Sequence, residues 1–298
     1  MLEAEAYSNP ASSAKEMCRA PKPPLLLLVG IWIIACCLAV IGLGDLPLRD
    51  FDEATVARVA LELSQSSGTD RLLPTIWDSP YLNKPPGLHT LIATTIELSG
   101  IQKLPTETII RLLPSLLSTL IIPLGGLIQW QLRPNDKVAC LSTAGILLTL
   151  LPVVRHGRLA MLDGTQLSAM GLLWFLLLAF DRSQHDKWRA ICIGLTSSSM
   201  LLLKAPLFFP MALAGLIPFL WEKESRQCWR WSLINWFTAG LTPGVAWHIW
   251  HALHRGSGAL WLWGADGAGR VLFTAGEGSD LGWKVPVLEV LEGGWPWL

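Results

Sequence analysis

The sequence carries little charge. Only 15% of its 298 residues are Asp, Glu, Lys or Arg, against roughly a quarter in an ordinary soluble domain. In addition 51% are hydrophobic, and mean hydropathy is +0.43. Together these values set aside a water-soluble globule, and the chain reads as a membrane protein. An excess of either sign is also missing, since 23 basic residues face 23 acidic ones. No electropositive surface is then expected to neutralise phosphate backbones, and nucleic acid is not an expected partner. The six cysteines contain no C-x-x-C pair. Cys36, Cys37, Cys140 and Cys192 lie inside apolar runs, and Cys18 and Cys228 fall on the side assigned below to the cytoplasm, so no disulfide is expected.

What is present in abundance is the long apolar run. A helix needs about 20 apolar residues, with roughly 17 as a minimum, to cross a hydrocarbon core. Leu25 to Gly44 qualifies, with no charge over 20 residues. The polar segment before it holds Lys15, Arg19 and Lys22 and has no cleavage site. It is read as a cytoplasmic tail over 1–24 rather than a signal peptide. Further runs are Leu112 to Leu132, Val138 to Val154, Gly164 to Phe180 and Trp231 to Trp250, and residues 190–221 read as two helices meeting at Lys204 to Pro206. Gly87 to Gly100, opened by Pro85-Pro86, has 14 residues and suits an interfacial or re-entrant helix. Seven spans result. The loops 133–137, 182–189 and 222–230 then face the cytoplasm with two, three and three Lys/Arg, against three in the short outer loops. Eleven of the 16 tryptophans follow residue 220, and several (Trp221, Trp229, Trp231, Trp250) flank span ends, as an interfacial belt does.

This topology places a long loop, Asp45 to Arg111, and the segment after about residue 253 on the outer face. In the loop Val56, Val59, Ala60 and Leu63 recur at helical spacing. Phe51 to Ser66 is therefore an expected amphipathic helix, ended by Gly68 and lying against the membrane or the bundle. Asp50, Asp52 and Glu53 stand at its start, where Asp50-x-x-Glu53 fits a capping box and an aspartate fits a general base equally. Lys84 suits a snorkelling anchor, Asp163 and Gln166 a helix cap, and Arg155 and Arg158 lipid phosphates. Taken together, two acidic points (Asp52/Glu53 and Asp163) and the cations Lys84, Arg158 and Lys204 emerge on one side of one bundle. Ionisable groups at a membrane are costly unless used, and this mixture suits a phosphorylated lipid substrate. His248-x-x-His251-x-x-His254 does not put its outer members on one face, so an interfacial girdle is preferred to a metal site.

Asp52-Glu53-Ala54, Tyr81-Leu82-Asn83-Lys84-Pro85-Pro86, Arg111-Leu112-x-Pro114-Ser115, Arg158-Leu159-Ala160-Met161-Leu162-Asp163 and Leu203-Lys204-Ala205-Pro206 follow one another in order and spacing. In this the chain, from about residue 25 on, resembles the polytopic GT-C glycosyltransferases. Within them it is most similar to the bacterial relatives of protein O-mannosyltransferases (dolichyl-phosphate-mannose-protein mannosyltransferases) and of the lipid A aminoarabinose transferase. The resemblance implies an all-α polytopic membrane protein that moves a sugar, with inversion, from a polyprenyl-phosphate donor to a lipid, glycan or protein acceptor at the outer face of a bacterial plasma membrane. It further implies Asp52 as the catalytic residue and Glu53, Lys84, Arg158, Asp163, Lys204 and Arg270 as substrate-binding residues. Departures are Thr55-Val56 where relatives carry Arg-Tyr, Asn83 where an acidic residue often stands, and Ala205 in place of Gly. No cofactor is expected, and Asn83 weakens any case for a divalent metal. The expected organisation is the tail 1–24, a membrane module 25–252 containing the loop 45–111, and an outer segment 253–298 cut before further spans. The rival reading is a non-catalytic or truncated polytopic protein that binds or transports sugar-lipids. A lack of obvious inverted repeats speaks against transport.

Overall fold

A computed structural model describes residues 22–101, 104–179, 186–221 and 231–263, with isolated positions between 287 and 297. Nearly all of it is helix. α1 (Leu25–Val40) starts after Pro23-Pro24 and is apolar on every side. It buries Leu28, Ala35 and Ala39 and turns Leu26, Ile33 and Leu38 outward. An apolar face of that length turned away from the protein suits hydrocarbon and not water. α2 (Asp52–Gln65) follows, then a 3₁₀ turn (Gly68–Leu72), the hairpin β1 (Thr75–Ile76) and β2 (Ser79–Pro80), and α3 (Gly87–Ser99). α4 (Glu107–Ser118) and α5 (Ile121–Leu132) come next, then α6 (Lys137–Thr149), α7 (Leu151–Gly157) and α8 (Leu162–Leu178). α9 (Asp186–Trp221), α10 (Trp231–Arg255), a second 3₁₀ turn (Gly256–Leu260) and the short α11 (Trp261–Trp263) close the described chain.

The expected amphipathic helix is α2. Its predicted inner face is fully packed, with Val59 and Ala60 at 0% and Val56 and Leu63 below 5% exposure. Val56, Ala57 and Ala60 share a core with Leu88, Ile92 and Ile96 of α3, Ile110 of α4 and Leu162 of α8. The helix therefore lies on the bundle. It ends at Gln65 with Ser66 extended, and Gly68 (φ +61) opens the 3₁₀ turn instead of closing α2. α3, at 13 residues, is too short to cross and ends on Gly100 in the left-handed region (φ +69). That agrees with its reading as a non-spanning helix.

Among the described residues, Glu107–Leu132 and Asp186–Ile217 are long and apolar enough to cross a membrane, and the bent pair α6–α7 makes a third if counted as one span. The expected count of seven is not reached on that basis. α1 and α8 are apolar but short, since 16 residues rise only about 24 Å. The expected single run Val138 to Val154 is also broken. Leu150 is extended (φ −69, ψ 118), and α7 leaves at 55° to α6. Pro152 is the cause, because it lacks an N–H and its ring clashes with the carbonyl four residues back.

The break expected at Lys204 is present, with φ −149 and ψ 80 inside the 36 residues of α9. Pro206 has no N–H to donate to the Leu202 carbonyl, which favours a kink here. The His248 ring of α10 lies 3.2 Å from the Leu201 carbonyl through Nε2 and satisfies it by donating N–H. Gly87 of α3 sits against the Leu202 carbonyl, 2.6 Å from where a Cβ would be. α9 and α10 approach closely through Gly194, Gly240 and Gly244, each facing backbone atoms of the other helix.

Candidate functional site

A chain reversal places Asp52. Phe51 stands at φ 70, ψ −64, and the Asp52 N–H donates to the Asp50 carbonyl at 2.9 Å. This is a γ-turn of the strained, positive-φ kind, rare for a residue with a Cβ. No side chain caps α2, so the capping box expected at Asp50-x-x-Glu53 does not form in its ordinary way. The turn takes the place of a cap and leaves the Asp52 carboxylate free to face a cavity while remaining in the first turn of α2.

Glu53, the next residue, points the other way and is 0% exposed. Its Oε1 accepts from Arg111 Nε at 2.9 Å and from the Ala160 N–H at 2.7 Å. Its Oε2 accepts from Arg111 Nη2 at 2.7 Å and from the Arg49 N–H at 2.9 Å. Arg111 also donates to the carbonyls of Leu43, Leu46 and Pro47. One bidentate ion pair therefore clasps the loop after α1, the start of α2, the middle of α4 and the turn before α8. Burial alone would raise the Glu53 pKa. The bonds from Arg111 and from the Arg49 and Ala160 amides more than offset it and hold the carboxyl below the usual value. Fully bonded within the protein, Glu53 has no face left for a substrate.

A cavity of about 240 Å³ opens in front of Asp52. Phe51, Asp52 and Thr55 of the turn and α2, Tyr81, Asn83 and Lys84 of the loop before α3, Met161 to Asp163 at the start of α8, and Lys204 at the break in α9 line it. Lys204 Nζ donates to Asp163 Oδ1 at 2.8 Å, with both side chains partly open. Asp163 lies in the first turn of α8 without capping it and, with Lys204, pins the broken helix to α8. Four sequence-predicted residues (Asp52, Lys84, Asp163, Lys204) therefore meet on one wall system. Arg158 does not join them. It lies on a second recess and donates to the Ile41 carbonyl. Arg270 lies outside the described residues.

Sequence reasoning missed several contributors. Tyr81 is buried beside Asp52, and burial together with that carboxylate's charge pushes its phenol up to about 12. It therefore stays protonated, a fixed donor at the cavity edge. His89 braces the Lys84-Pro85-Pro86 loop from behind, with Nδ1 3.1 Å from the Pro85 carbonyl and its ring edge-on to Tyr81. Donation through Nδ1 leaves a lone pair on Nε2, and that atom is buried without a partner. Burial holds His89 neutral with a pKa lowered to about 4. Arg111 was visible only as part of a motif, because the clasp joins residues 58 apart.

Next to the polar cavity runs an apolar groove of about 600 Å³ lined by Gly87, Leu91, Leu117, Leu124, Thr165, Leu172 and Leu203 among others. Gly87 is three residues past Lys84, Thr165 two past Asp163, and Leu203 precedes Lys204, so groove and cavity are lined by neighbouring residues on three chain segments. Of the three spaced histidines, His248 serves Leu201, His251 stacks on Trp247 at 4.7 Å, and His254 faces the Trp250 carbonyl. No group of three or more His, Cys, Asp or Glu able to hold a metal occurs among the described residues.

No family model matches the sequence, and no curated protein is significantly similar to it. Solved structures do match. ArnT from Cupriavidus metallidurans bound to undecaprenyl phosphate superposes with a TM-score of 0.67 at 17% identity, over 89% of this chain and 48% of that one. The apo state of the same protein gives a TM-score of 0.61 at 18% identity, over 80% and 43%. ArnT is the lipid A aminoarabinose transferase, of the GT-C family. The fold is thus the one that the sequence motifs resemble, and the chain spans about half the length of the structures it matches.

Proposed function

We propose that this chain is a membrane glycosyltransferase module that moves a sugar from a polyprenyl-phosphate donor to a hydroxyl of a lipid, glycan or protein acceptor. The observation that carries this reading is a polar cavity holding Asp52, Lys84, Asp163 and Lys204 and an apolar groove lined by their near neighbours on three chain segments. A charged, tailed donor needs both. The isoprenoid tail takes the groove, and the phosphate and sugar take the cavity. The neighbour's bound undecaprenyl phosphate supports the donor class.

In the proposed reaction Asp52 accepts the acceptor's proton, and the freed oxygen attacks the anomeric carbon from the face opposite the phosphate. The carbon–oxygen bond to phosphate then breaks, and the electron pair leaves with the lipid phosphate, inverting the centre. A phosphate leaving group is already acidic, so it needs cations more than a proton donor. Lys84 fills that place, helped by Arg270 from the outer segment. Lys204 is held by Asp163 and orients the wall, and Glu53 and Arg158 hold the loops. The module sits in a bacterial plasma membrane with this cavity outward and its N-terminus cytoplasmic, crossed by seven spans.

Asp52→Asn tests the assignment, because Asn keeps the size and hydrogen bonding but not the basicity. Transfer is expected to fall by about 10²–10⁴-fold with unchanged thermal stability. Lys84→Ala is expected to raise the apparent KM for the polyprenyl-phosphate sugar. Mass spectrometry of lipid-linked sugars with and without the gene reads the donor directly, since an unused donor accumulates. Near-normal turnover in the Asn variant would overturn the role of Asp52. An unchanged lipid-linked sugar pool would overturn the enzyme reading in favour of a binding or transport protein.

A further inference from the structure

The turn that sets Asp52 is made by an unfavourable residue. Phe51 stands at φ 70, ψ −64, a region in which a β-carbon is strained, and its side chain is 85% exposed. Glycine would make the same reversal without that strain. Among the described residues the Phe51 ring joins no buried cluster and meets no other aromatic ring, so packing does not explain it. Phe51 does line the Asp52 cavity. A residue that is on the wall and yet mostly exposed stands at the mouth.

Its surroundings select what the ring meets. The apolar groove assigned to the isoprenoid tail does not include Phe51, and Lys84, assigned to the donor phosphate, comes from a different segment of the wall. Phe51 adjoins the base instead, which puts it on the acceptor's side of the reaction. Asp52, Thr55, Tyr81 and Asn83 stand around the same cavity and make no side-chain hydrogen bond among the described residues. An acyl chain would leave these four groups unmet. A peptide's serine or threonine hydroxyl brings no flat C–H face to the ring. A pyranose answers both demands, since its hydroxyls bond the polar groups while one C–H face lies on the electron-rich face of the ring. We propose that Phe51 is the stacking platform for a sugar unit of the acceptor, so that the hydroxyl giving its proton to Asp52 and taking the anomeric carbon from the lipid phosphate is itself part of a carbohydrate. This rests on the transferase reading and narrows its acceptor to a glycan or glycolipid.

The test is mass spectrometry of cell envelopes separated into saccharide, protein and lipid fractions, sampled early after induction of the full chain and compared with cells lacking the gene. Wild type is expected to add the transferred mass to a saccharide. Phe51→Ala should lower that product about tenfold, as loss of one aromatic contact does. Phe51→Tyr should keep it, and Phe51→Leu should not. Phe51→Gly relieves the turn, so the purified variant should unfold at the wild-type temperature or above it and still transfer as poorly as Phe51→Ala, which separates lost stacking from lost stability. Rescue by Leu as complete as by Tyr would make Phe51 a membrane anchor or plain apolar filling and overturn the proposal. Wild-type amounts of product in Phe51→Ala would overturn it, as would transferred mass found on protein or on a lipid without sugar. A wild-type envelope with no transferred mass in any fraction would overturn the transferase reading itself, and this acceptor with it.

Discussion

Two buried side chains set the chemistry around Asp52 without touching substrate. Glu53 is completely buried against Arg111, whose side chain is 5% exposed. Glu53→Gln removes the charge and strands a guanidinium, which costs about 3–5 kcal/mol in comparable buried pairs. Thermal unfolding of the solubilised variant should show that loss together with reduced transfer. Since the folded pKa of Glu53 lies below its ordinary value, its stabilisation is intact at neutral pH and fades only as pH falls through the lowered value. His89 acts in a different acid window. Its pKa falls to about 4 from 6.5, so the unfolded chain binds a proton between those values and the folded one does not. Stability therefore falls on acidification from about pH 6.5 to 4, by up to about 3 kcal/mol. His89→Gln keeps a donor for the Pro85 carbonyl and should flatten that segment of the stability profile. A profile identical to wild type would assign the acid sensitivity to other groups. Asp52, Lys84, Asp163 and Lys204 were legible as residues because each sits in a local motif of unlike chemistry, an acid or a cation beside prolines or apolar runs. The clasp was not, because 107 residues separate Glu53 from Ala160. Nor was the Phe51 turn, since Phe is the last residue one would choose for φ 70.

At the scale of the element, breaks in helices decide where polar groups gather. The break at Lys204 was readable because a cation and a proline stand together in an apolar run, whereas Pro152 was read through because everything around it is apolar. A proline near the end of a run can start a new helix as easily as it can kink the old one, and only packing chooses. Where α9 crosses α10, the reverse condition holds and the backbones need small residues. A Cβ at Gly194 would collide with the Phe237 carbonyl and lie 2.9 Å from Gly240 Cα. Both obstacles are backbone. Gly194→Ala should therefore destabilise by about 1–3 kcal/mol, while Gly30→Ala in α1, with nothing within 4 Å, should be neutral or stabilising by about 0.5–1 kcal/mol. Detergent-induced unfolding curves compared for the two variants check this, and equal effects would contradict the packing of α9 on α10.

At the scale of the whole molecule, the arrangement relative to the bilayer decides from which side the cavity is reached. The proposed topology puts the Asp52 cavity and the start of α8 on the outside. In a cysteine-free background, thiols at Asn83 and Gly164 should react with an impermeant reagent added to intact cells, and one at Asn135, in the α5–α6 turn, should not. Opposite labelling of the first two would mean that α3 crosses the membrane, and would contradict a cavity whose walls come from both segments. The helical class followed from run length, as did the short α3. The number of crossings did not, because α1 and α8 carry the composition of spans at less than their length.

During synthesis the carboxylate of Glu53 leaves the ribosome 58 residues ahead of Arg111 and 107 ahead of the Ala160 amide. At roughly 5–20 residues per second, the second interval is about 5–20 s. For that time a bare charge sits on a helix whose other face is apolar, and it must remain hydrated at the membrane surface until its partners arrive. Nothing shorter than the first 160 residues can close the knot. The clasp behind Asp52 therefore closes only late, so a nascent chain halted before α8 has no braced turn at the start of α2, and the cavity wall waits longer still, for Lys204.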